Sequence, residues 1–238
     1  MSLPRPSSPP ASASRSLDER PYVAITADTH AGAAIDAYRE YLDPDWRAEF
    51  DAWRGSYRNP SEKHVGGKKT KNWDSAERKA DLERDGVVGE VIFPNTVPPF
   101  YANAFHVSPP PSPAEYRRAR AGTRAHNRWL AEFCAEEPAR RAGIGLIHLN
   151  DIDDAIEDVR WIAEHGLRGG VLLPLPSPSE GHLKPLNDPI YDQAFNEPNS
   201  PWFQMFTEAV YNGNIAGALK TGQAGFEAVA RAASDLAS

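Results

Sequence analysis

The first three quarters of the chain contain four short apolar runs that are rich in β-branched residues. They lie at Val23–Asp28, Val87–Pro94, Gly143–Leu149 and Gly169–Leu175. Segments with helical spacing of apolar residues separate them. Because the runs lack strict polar–apolar alternation, the pattern predicts strands buried on both faces, as in a parallel sheet covered by helices. We expect four parallel strands, adjacent in this order, in a β/α half-barrel or a small open sheet.

The segment "DPDWRAEFDAW" predicts the first of the helices. Asp43 can cap it, and Pro44 suits the first helical position. Trp46, Phe50 and Trp53 recur at a spacing that places them on one face of the helix. The sequence therefore predicts one aromatic face on this helix.

Three more helices are predicted farther along the chain. "DSAERKADLERDG" is a charged helix that stops at Gly86, and a long helix runs from about residue 113 to 136. "DIDDAIEDVRWIAEHG" forms the last of the three, with Asp151 or Asp153 as its N-cap and Gly166 as its stop. Helices and strands thus alternate, which is typical of β/α units.

The two ends of the chain differ in composition from its middle. Residues 1–20 are rich in Pro and Ser and have few side chains to bury, so we expect a disordered tail. Residues 55–71 predict a polar loop. From residue 196 the strand pattern ends, and residues 202–238 predict Ala-rich helices without a further strand. We therefore expect a tail (1–20), a β/α unit (21–195) and a helical C-terminal segment (196–238).

Composition narrows the classes of partner and location. The formal net charge of −7 argues against nucleic acid as the main partner. Cys134 is the single cysteine, so no internal disulfide can form, which fits a reducing compartment. No apolar run approaches the roughly 18 residues that a membrane helix needs. We expect a cytoplasmic protein that acts on neither nucleic acid nor membrane.

The first strand ends in a pair of metal-binding residue types. Asp28 and His30 are two residues apart, so an extended strand projects them to the same side. They lie at the carboxyl end of the strand, where parallel α/β folds place their sites. Carboxylate and imidazole both bind zinc and similar ions. The alternatives are that Asp28 caps a turn and that His30 bonds a backbone carbonyl.

Other polar residues fit less specific roles. His148 follows the third strand and could reach a metal or a substrate, pack between strand and helix, or meet solvent at the rim. Asn95 follows the second strand, as a substrate contact or as a turn residue. Arg78 and Asp81 share one helical face, where solvation alone would explain them. The sequence contains no nucleophile motif, no Gly-rich phosphate loop and no Cys/His zinc cluster.

Several segments resemble one enzyme family in their order and spacing. They are "ITADTHAG", "RKADLERDGVVGEVIFPN", "HNRWLAEFCAEEPARRAGIGLIHLNDIDDAIEDV", "HGLRGGVLLP" and "LNDPIYDQAF", over roughly residues 21–195. The chain resembles the amidohydrolase-related (amidohydrolase 2) family of metal-dependent TIM-barrel enzymes, which includes aminocarboxymuconate semialdehyde decarboxylase and related aromatic acid decarboxylases. The resemblance implies an incomplete TIM barrel of about four parallel strands, followed by C-terminal helices.

The resemblance also implies roles for individual residues. Asp28 and His30 match the metal pair of the first strand, which is His-X-His or Glu-X-His in other members of the family. The family completes its site with a later strand-end His and a strand-end Asp, and neither has a counterpart in this chain. His148 is then the best internal candidate for a third ligand, at a position that the family does not use. Asn127, on the long helix, matches a typical asparagine with a structural role.

Two functions follow from these observations. The first is a metal-dependent enzyme that hydrolyses or non-oxidatively decarboxylates a small carboxylate or amide substrate, with one divalent ion, expected to be Zn²⁺, held by Asp28, His30 and His148. No Lys lies at the end of the fourth strand to bridge a second ion, which favours a single ion. The second is an inactive, truncated relative that acts as a binding or interaction protein. Two ligands hold zinc poorly, and open sheet edges favour pairing with another chain, including a second copy.

Overall fold

Four parallel strands form one sheet in the order β1-β2-β3-β4. The computed structural model describes residues 24–58, 69–95, 97–174, 183–184, 186 and 188–191. Strands that neighbour each other in sequence also neighbour each other in the sheet, which is the order found in β/α barrels. The predicted fold class, an α/β incomplete barrel with about four parallel strands, is confirmed, and so are the direction and order of the strands.

Helices and short turns connect these strands. The strands are β1 (Ala24–Ala31), β2 (Val87–Pro94), β3 (Arg141–Leu146) and β4 (Gly170–Leu172). The helices are α1 (Tyr38–Tyr41), α2 (Pro44–Ser56), α3 (Ser75–Arg84), α4 (Tyr116–Ala135) and α5 (Ile152–Glu164). Single 3₁₀ turns occupy Ile35–Ala37, Lys69–Asn72, Phe105–Val107 and Pro189–Tyr191.

Three of the four strands have boundaries that differ from the predicted ones. β1 continues to Ala31 rather than ending at Asp28, because its pairing with β2 extends to Pro94. β3 ends at Leu146, so His148 lies two residues beyond the strand. β4 is limited to Gly170–Leu172 among the described residues. An apolar run shows which residues are buried, but the ladder of hydrogen bonds decides where a strand ends.

Side-chain caps and glycines set the ends of α3 and α5. The Asp74 carboxylate accepts a hydrogen bond from the backbone N–H of Glu77 at 2.9 Å. Asp151, rather than Asp153, caps α5, and it accepts from the N–H of Asp154 at 3.0 Å. The predicted stops are confirmed, since Gly86 and Gly166 have φ angles of +73° and +76° after the two helices.

Asp43 precedes α2 as predicted, but it does not cap the helix with its side chain. Its carboxylate lies 2.9 Å from the Arg128 guanidinium on α4 instead. The acidic side chain therefore ties the start of α2 to α4. The local sequence shows the capping residue type but not this distant cation.

The aromatic face of α2 packs against one strained residue. Trp46, Phe50 and Trp53 have ring centroids 6.0, 6.4 and 5.9 Å from that of Phe100. Phe100 has a φ of +73°, a conformation that large side chains rarely adopt. Gly122 of α4 leaves room for the neighbouring backbone at Pro99, which a Cβ atom would contact. The predicted single aromatic face is confirmed, and it anchors the loop after β2.

Asn127 joins α4 to the end of β3. Its amide nitrogen donates to the Leu146 carbonyl at 2.9 Å, and its oxygen accepts from the Leu146 N–H at 2.8 Å. Both side chains are buried. A buried amide with paired donor and acceptor fixes the register between helix and strand. This contact is a structural role of the kind that the family resemblance implies.

Several predictions fall on parts of the chain that the structure does not describe. They concern the disordered tail (1–20) and the C-terminal helices (202–238), and most of the polar loop (55–71) lies there as well. The three domain boundaries stay predictions. In the described part of the chain, no helix combines the length and hydrophobicity that crossing a bilayer requires.

Candidate metal site at the end of the first strand

A β-bulge lies at the start of the Asp28–His30 segment in β1. Thr26 pairs with Glu90 and Thr29 pairs with Ile92, so β1 takes three steps where β2 takes two. The extra residue lies within Ala27–Asp28. Bulges of this kind often occur next to active sites, where they redirect a side chain.

Beyond the bulge, side chains alternate between the two faces of the sheet. Thr29 points toward α3, since its hydroxyl lies 2.9 Å from a Glu90 carboxylate oxygen. The His30 ring lies on the opposite face, with its centroid 5.8 Å from that of Phe93. Alternation about Thr29 places Asp28 on the face of His30. The register therefore supports the predicted shared face.

Asp28 and His30 are both exposed to solvent. Among the described residues, neither the carboxylate nor the imidazole has a hydrogen-bond or ion-pair partner. A carboxylate oxygen and an imidazole nitrogen with no protein partner can accept a cation without first breaking a contact. Packing against Phe93 limits the orientations of the His30 ring.

A buried ionic cluster lies directly behind the pair. The Arg78 guanidinium contacts both oxygens of Glu90, with its Nε 2.9 and 3.0 Å away. Another Arg78 nitrogen donates to the backbone carbonyl of His30 at 3.0 Å. Side-chain exposure is 9% for Arg78 and 1% for Glu90. The interpretation of Arg78 as a solvated residue is wrong, because Glu90, on β2, draws it into the sheet–helix interface.

Arg141 completes this cluster from β3. Its Nε lies 3.6 Å from Glu90, and its guanidinium carbon lies 4.0 Å above the Phe133 ring. Burial lowers the pKa of Arg141, and the negative charge of Glu90 opposes that shift. One carboxylate therefore faces two buried guanidinium groups, and it joins α3, β2 and β3 behind β1.

His148 occupies an aromatic box instead of the exposed face. It is 1% exposed, and its Nε2 lies 3.0 Å from the Tyr101 hydroxyl. The Phe105 and Tyr116 rings approach it edge-on, with centroids 5.7 and 5.9 Å away. Burial lowers its pKa to about 3, with a smaller contribution from the charge of Arg120. The structure thus favours the packing alternative for this residue.

The described residues do not bring Asp28, His30 and His148 together. In that part of the chain, no three His, Cys, Asp or Glu side chains form a group that could hold a metal ion. Asp28 and His30 supply a carboxylate oxygen and an imidazole nitrogen, which suit zinc and manganese. Catalytic zinc sites generally use three protein ligands. The pair therefore fits two of the positions around a divalent ion.

His126 supports the loop that follows β1. Its Nδ1 lies 2.8 Å from the Tyr38 hydroxyl, and that hydroxyl accepts from the N–H of Ala33 at 3.2 Å. Tyr38 and His126 are both fully buried. Burial lowers the pKa of His126 to about 3. The neutral ring therefore helps to hold Ala33, three residues after His30, through the Tyr38 hydroxyl.

The remaining candidates take no part in the pair. His165 follows α5, where its Nδ1 donates to the Trp161 carbonyl at 2.7 Å. His106 is exposed in a 3₁₀ turn. Asn95 follows β2, and its backbone N–H donates to the Ala31 carbonyl at 2.9 Å.

Sequence reasoning missed the residues that support the pair. They are Thr29, Glu90 and Tyr38. Glu90 did carry a signal, because it is the only charged residue in the strand "VVGEVIFP". A charge in a buried strand requires a partner, and Arg78 lies on the preceding helix. Thr29 and Tyr38 carried no comparable signal.

Comparison with known proteins returned distant structural matches. No family model and no curated protein matches the chain. One match is 2,6-dihydroxybenzoate decarboxylase from Rhizobium, with 18% identity and a TM-score of 0.41 over 73% of this chain and 45% of the other.

Two further matches are similarly distant. Dihydroxybenzoic acid decarboxylase from Polaromonas, with bound manganese and 2-nitroresorcinol, has 18% identity and a TM-score of 0.37 over 63% of this chain and 38% of the other. A variant of 5-carboxyvanillate decarboxylase from Novosphingobium aromaticivorans, with bound manganese, has 19% identity and a TM-score of 0.43 over 74% of this chain and 48% of the other. The chain thus spans less than half the length of these decarboxylases.

Proposed function

We propose that the chain carries the first-strand part of a divalent-metal site in an enzyme that hydrolyses or non-oxidatively decarboxylates a small organic acid. The proposal rests on one observation above all. Asp28 and His30 are both exposed at the carboxyl end of β1, where parallel α/β folds place their sites, and alternation about Thr29 assigns them to one face. The segments that resemble metal-dependent decarboxylases and hydrolases support the reaction class.

The chemistry assigns simple roles to the residues present. A divalent ion at this site would polarise a substrate carboxylate or carbonyl, or lower the pKa of a bound water. Asp28 would bind it through a carboxylate oxygen and balance part of its charge. His30 would bind it through a ring nitrogen, in an orientation that Phe93 restricts. A third ligand would come from residues outside the described part of the chain or from a second molecule.

The substrate class follows from the same chemistry. An exposed cation attracts an anionic oxygen ligand, so a small carboxylate, or an amide with a polarisable carbonyl, fits the site. Zn²⁺ and Mn²⁺ both accept this donor set, and the exposed pair does not distinguish them. We propose a single ion, since the chain offers one such pair at the end of a described strand.

A second candidate function is a binding protein without catalysis. Two observations favour it. Asp28, His30 and His148 do not meet, and β1 and β4 each pair with a single strand within the described residues. An unpaired edge can accept a strand from another chain. In this alternative the sheet edges, and not the exposed pair, carry the function.

Metal titration of the full chain distinguishes the two candidates. We expect Mn²⁺ to broaden the His30 ring NMR signals selectively at substoichiometric concentration, and Zn²⁺ to compete. His30→Ala and Asp28→Asn should each weaken Mn²⁺ binding at least tenfold, as measured by isothermal titration calorimetry, because the His30 variant lacks the NMR probe. His165→Ala is the matched control, because His165 is an exposed histidine remote from β1. Equal binding in the wild type and both site variants would contradict the enzyme proposal and favour the binding protein.

A further inference from the structure

The residue between the two candidate ligands is held from the opposite side of the sheet. The Thr29 hydroxyl lies 2.9 Å from a Glu90 carboxylate oxygen and 2.9 Å from the Val91 carbonyl. A hydroxyl has one proton to donate, so these two acceptors share it or one receives it. Either way, Thr29 is fixed to β2 at the position between Asp28 and His30.

A second contact fixes His30 itself. Arg78 donates to the His30 carbonyl at 3.0 Å and to the Lys71 carbonyl at 3.3 Å. The same guanidinium pairs with Glu90, with a nitrogen–oxygen distance of 2.5 Å. Thr29 and Arg78 therefore contact the same carboxylate. Thr29 belongs to the segment that carries the pair, and Arg78 contacts the backbone of that segment at His30.

Two features of this arrangement favour a fixed local geometry. Charge-assisted hydrogen bonds are about twice as strong as neutral ones. The cluster is also buried, with side-chain exposure of 1% for Glu90, so water cannot readily replace its contacts. A bulged strand is otherwise free to change its local twist, because its extra residue has no ladder partner. The cluster removes that freedom beneath the exposed pair.

We propose that Thr29, Glu90 and Arg78 are positioning residues that hold Asp28 and His30 in the geometry needed to bind one cation. This inference rests on the proposed metal site and adds the residues that set its geometry. Supporting residues of this kind typically change metal affinity by about 10–100-fold when they are replaced. None of the three would serve as a metal ligand, so each would act through the backbone or a neighbouring side chain.

Thr29→Val gives the cleanest test, because it removes the hydroxyl and nearly keeps the shape. We expect Mn²⁺ affinity, measured by broadening of the His30 ring signals, to fall at least tenfold. Thr29→Ser keeps the hydroxyl and should retain affinity within about threefold. The matched control is Thr123→Val, a buried threonine whose hydroxyl donates to the Arg120 carbonyl at 3.0 Å. It should leave Mn²⁺ affinity unchanged.

Arg78→Lys tests the contacts that Arg78 makes with Glu90 and the His30 carbonyl. Lysine keeps the charge but cannot contact Glu90 and the His30 carbonyl with one planar fork. We expect a tenfold or greater loss of Mn²⁺ affinity. Arg120→Lys is its control, since Arg120 pairs with buried Asp158 between α4 and α5 and does not contact β1. A similar loss in both lysine variants would assign the effect to general stability and overturn the inference.

Amide hydrogen exchange in metal-free protein separates this inference from the proposed function. Thr29→Val and Arg78→Lys should accelerate exchange at His30 and Ala31, while the two controls should not. Wild-type exchange together with wild-type Mn²⁺ affinity in folded Thr29→Val would overturn the positioning role. Faster exchange with unchanged affinity would overturn it equally. Failure of the wild type to bind Mn²⁺ would overturn the proposed function, and exchange alone would then decide whether the cluster positions the pair.

Discussion

The two faces of β1 near its carboxyl end contrast sharply, although consecutive residues supply them. On the face toward α3, the Thr29 hydroxyl contacts the Glu90 carboxylate, which lies against two buried guanidinium groups. On the other face, Asp28 and His30 are exposed and lack described polar partners. The polar groups on the face toward α3 therefore stabilise the fold, whereas those of Asp28 and His30 remain available to a ligand.

The contrast has a simple physical origin. A buried charge is tolerable only with a partner, because desolvation costs several kcal/mol for each ion. An exposed carboxylate or imidazole carries no such cost and can remain unpaired. Stability and ligand binding should therefore respond to different substitutions on the same strand, and the predictions below test that separation.

The largest effect on stability is expected from Glu90→Ala. Removing the carboxylate leaves Arg78 and Arg141 buried beside each other without a counter-charge. Loss of one partner from a buried pair typically costs about 3–5 kcal/mol. Urea unfolding followed by circular dichroism should show that loss in the free energy of unfolding.

An exposed ion pair supplies the control for this prediction. Asp36 pairs with Arg54 at 2.6 Å, and its side chain is 75% exposed. Such surface pairs contribute about 0–1 kcal/mol, so Asp36→Ala should change stability little. If Glu90→Ala were as mild as Asp36→Ala, the buried face would not be the part of β1 that stabilises the fold.

The buried charge also shows where sequence reasoning reaches its limit. The strands, their order and the glycine stops of α3 and α5 follow from local patterns of apolar residues and turn formers. The burial of Arg78 depends on Glu90, which lies twelve residues away on another element. A helical pattern shows which residues share a face, but not whether an acidic strand residue lies beneath that face.

A second effect is expected from the buried histidines. His126 and His148 have pKa values lowered to about 3 by burial, whereas an unfolded histidine titrates near 6.5. Between these values the unfolded chain binds protons that the native protein does not. Stability should therefore fall as pH drops below about 6.5, by about 1.4 kcal/mol per pH unit for each histidine.

Urea unfolding at pH 7, 6 and 5 measures this slope. From pH 7 to pH 5 each histidine should contribute a loss of about 2 kcal/mol. His126→Gln and His148→Gln should each reduce the proton uptake on unfolding by about one in that range. His30→Ala is the contrasting variant, because its histidine is exposed. An equal pH dependence of unfolding free energy in all three variants would show that the buried histidines contribute no more to it than exposed His30.

The histidines explain why the candidate site was only partly predictable. His30 and His148 both follow apolar runs, so the sequence pattern alone does not distinguish their surroundings. The third strand ends at Leu146, and the loop after β2 brings Tyr101 and Phe105 against His148. The pair in β1 could be predicted because two residues of one strand share a face by geometry alone. The surroundings of His148 depend on a loop more than forty residues earlier, which no local pattern encodes.

The smallest effect on stability is expected at the exposed pair. Asp28→Asn and His30→Ala remove no described hydrogen bond or ion pair, so each should change the free energy of unfolding by less than about 0.5 kcal/mol. Ligand-dependent stability should behave in the opposite way. At ten times its dissociation constant, Mn²⁺ should raise wild-type stability by about 1.4 kcal/mol, because it binds the native state.

Both site variants should lose that Mn²⁺-dependent gain while keeping their metal-free stability. Thermal unfolding of the wild type and each variant, with and without Mn²⁺, measures the two quantities together. A metal-free loss above about 1 kcal/mol in either variant would show that the exposed face also stabilises the fold. A full Mn²⁺ response in both variants would place the cation elsewhere. Only small metal-free losses combined with a lost response agree with a strand whose one face stabilises the fold and whose other face binds a ligand.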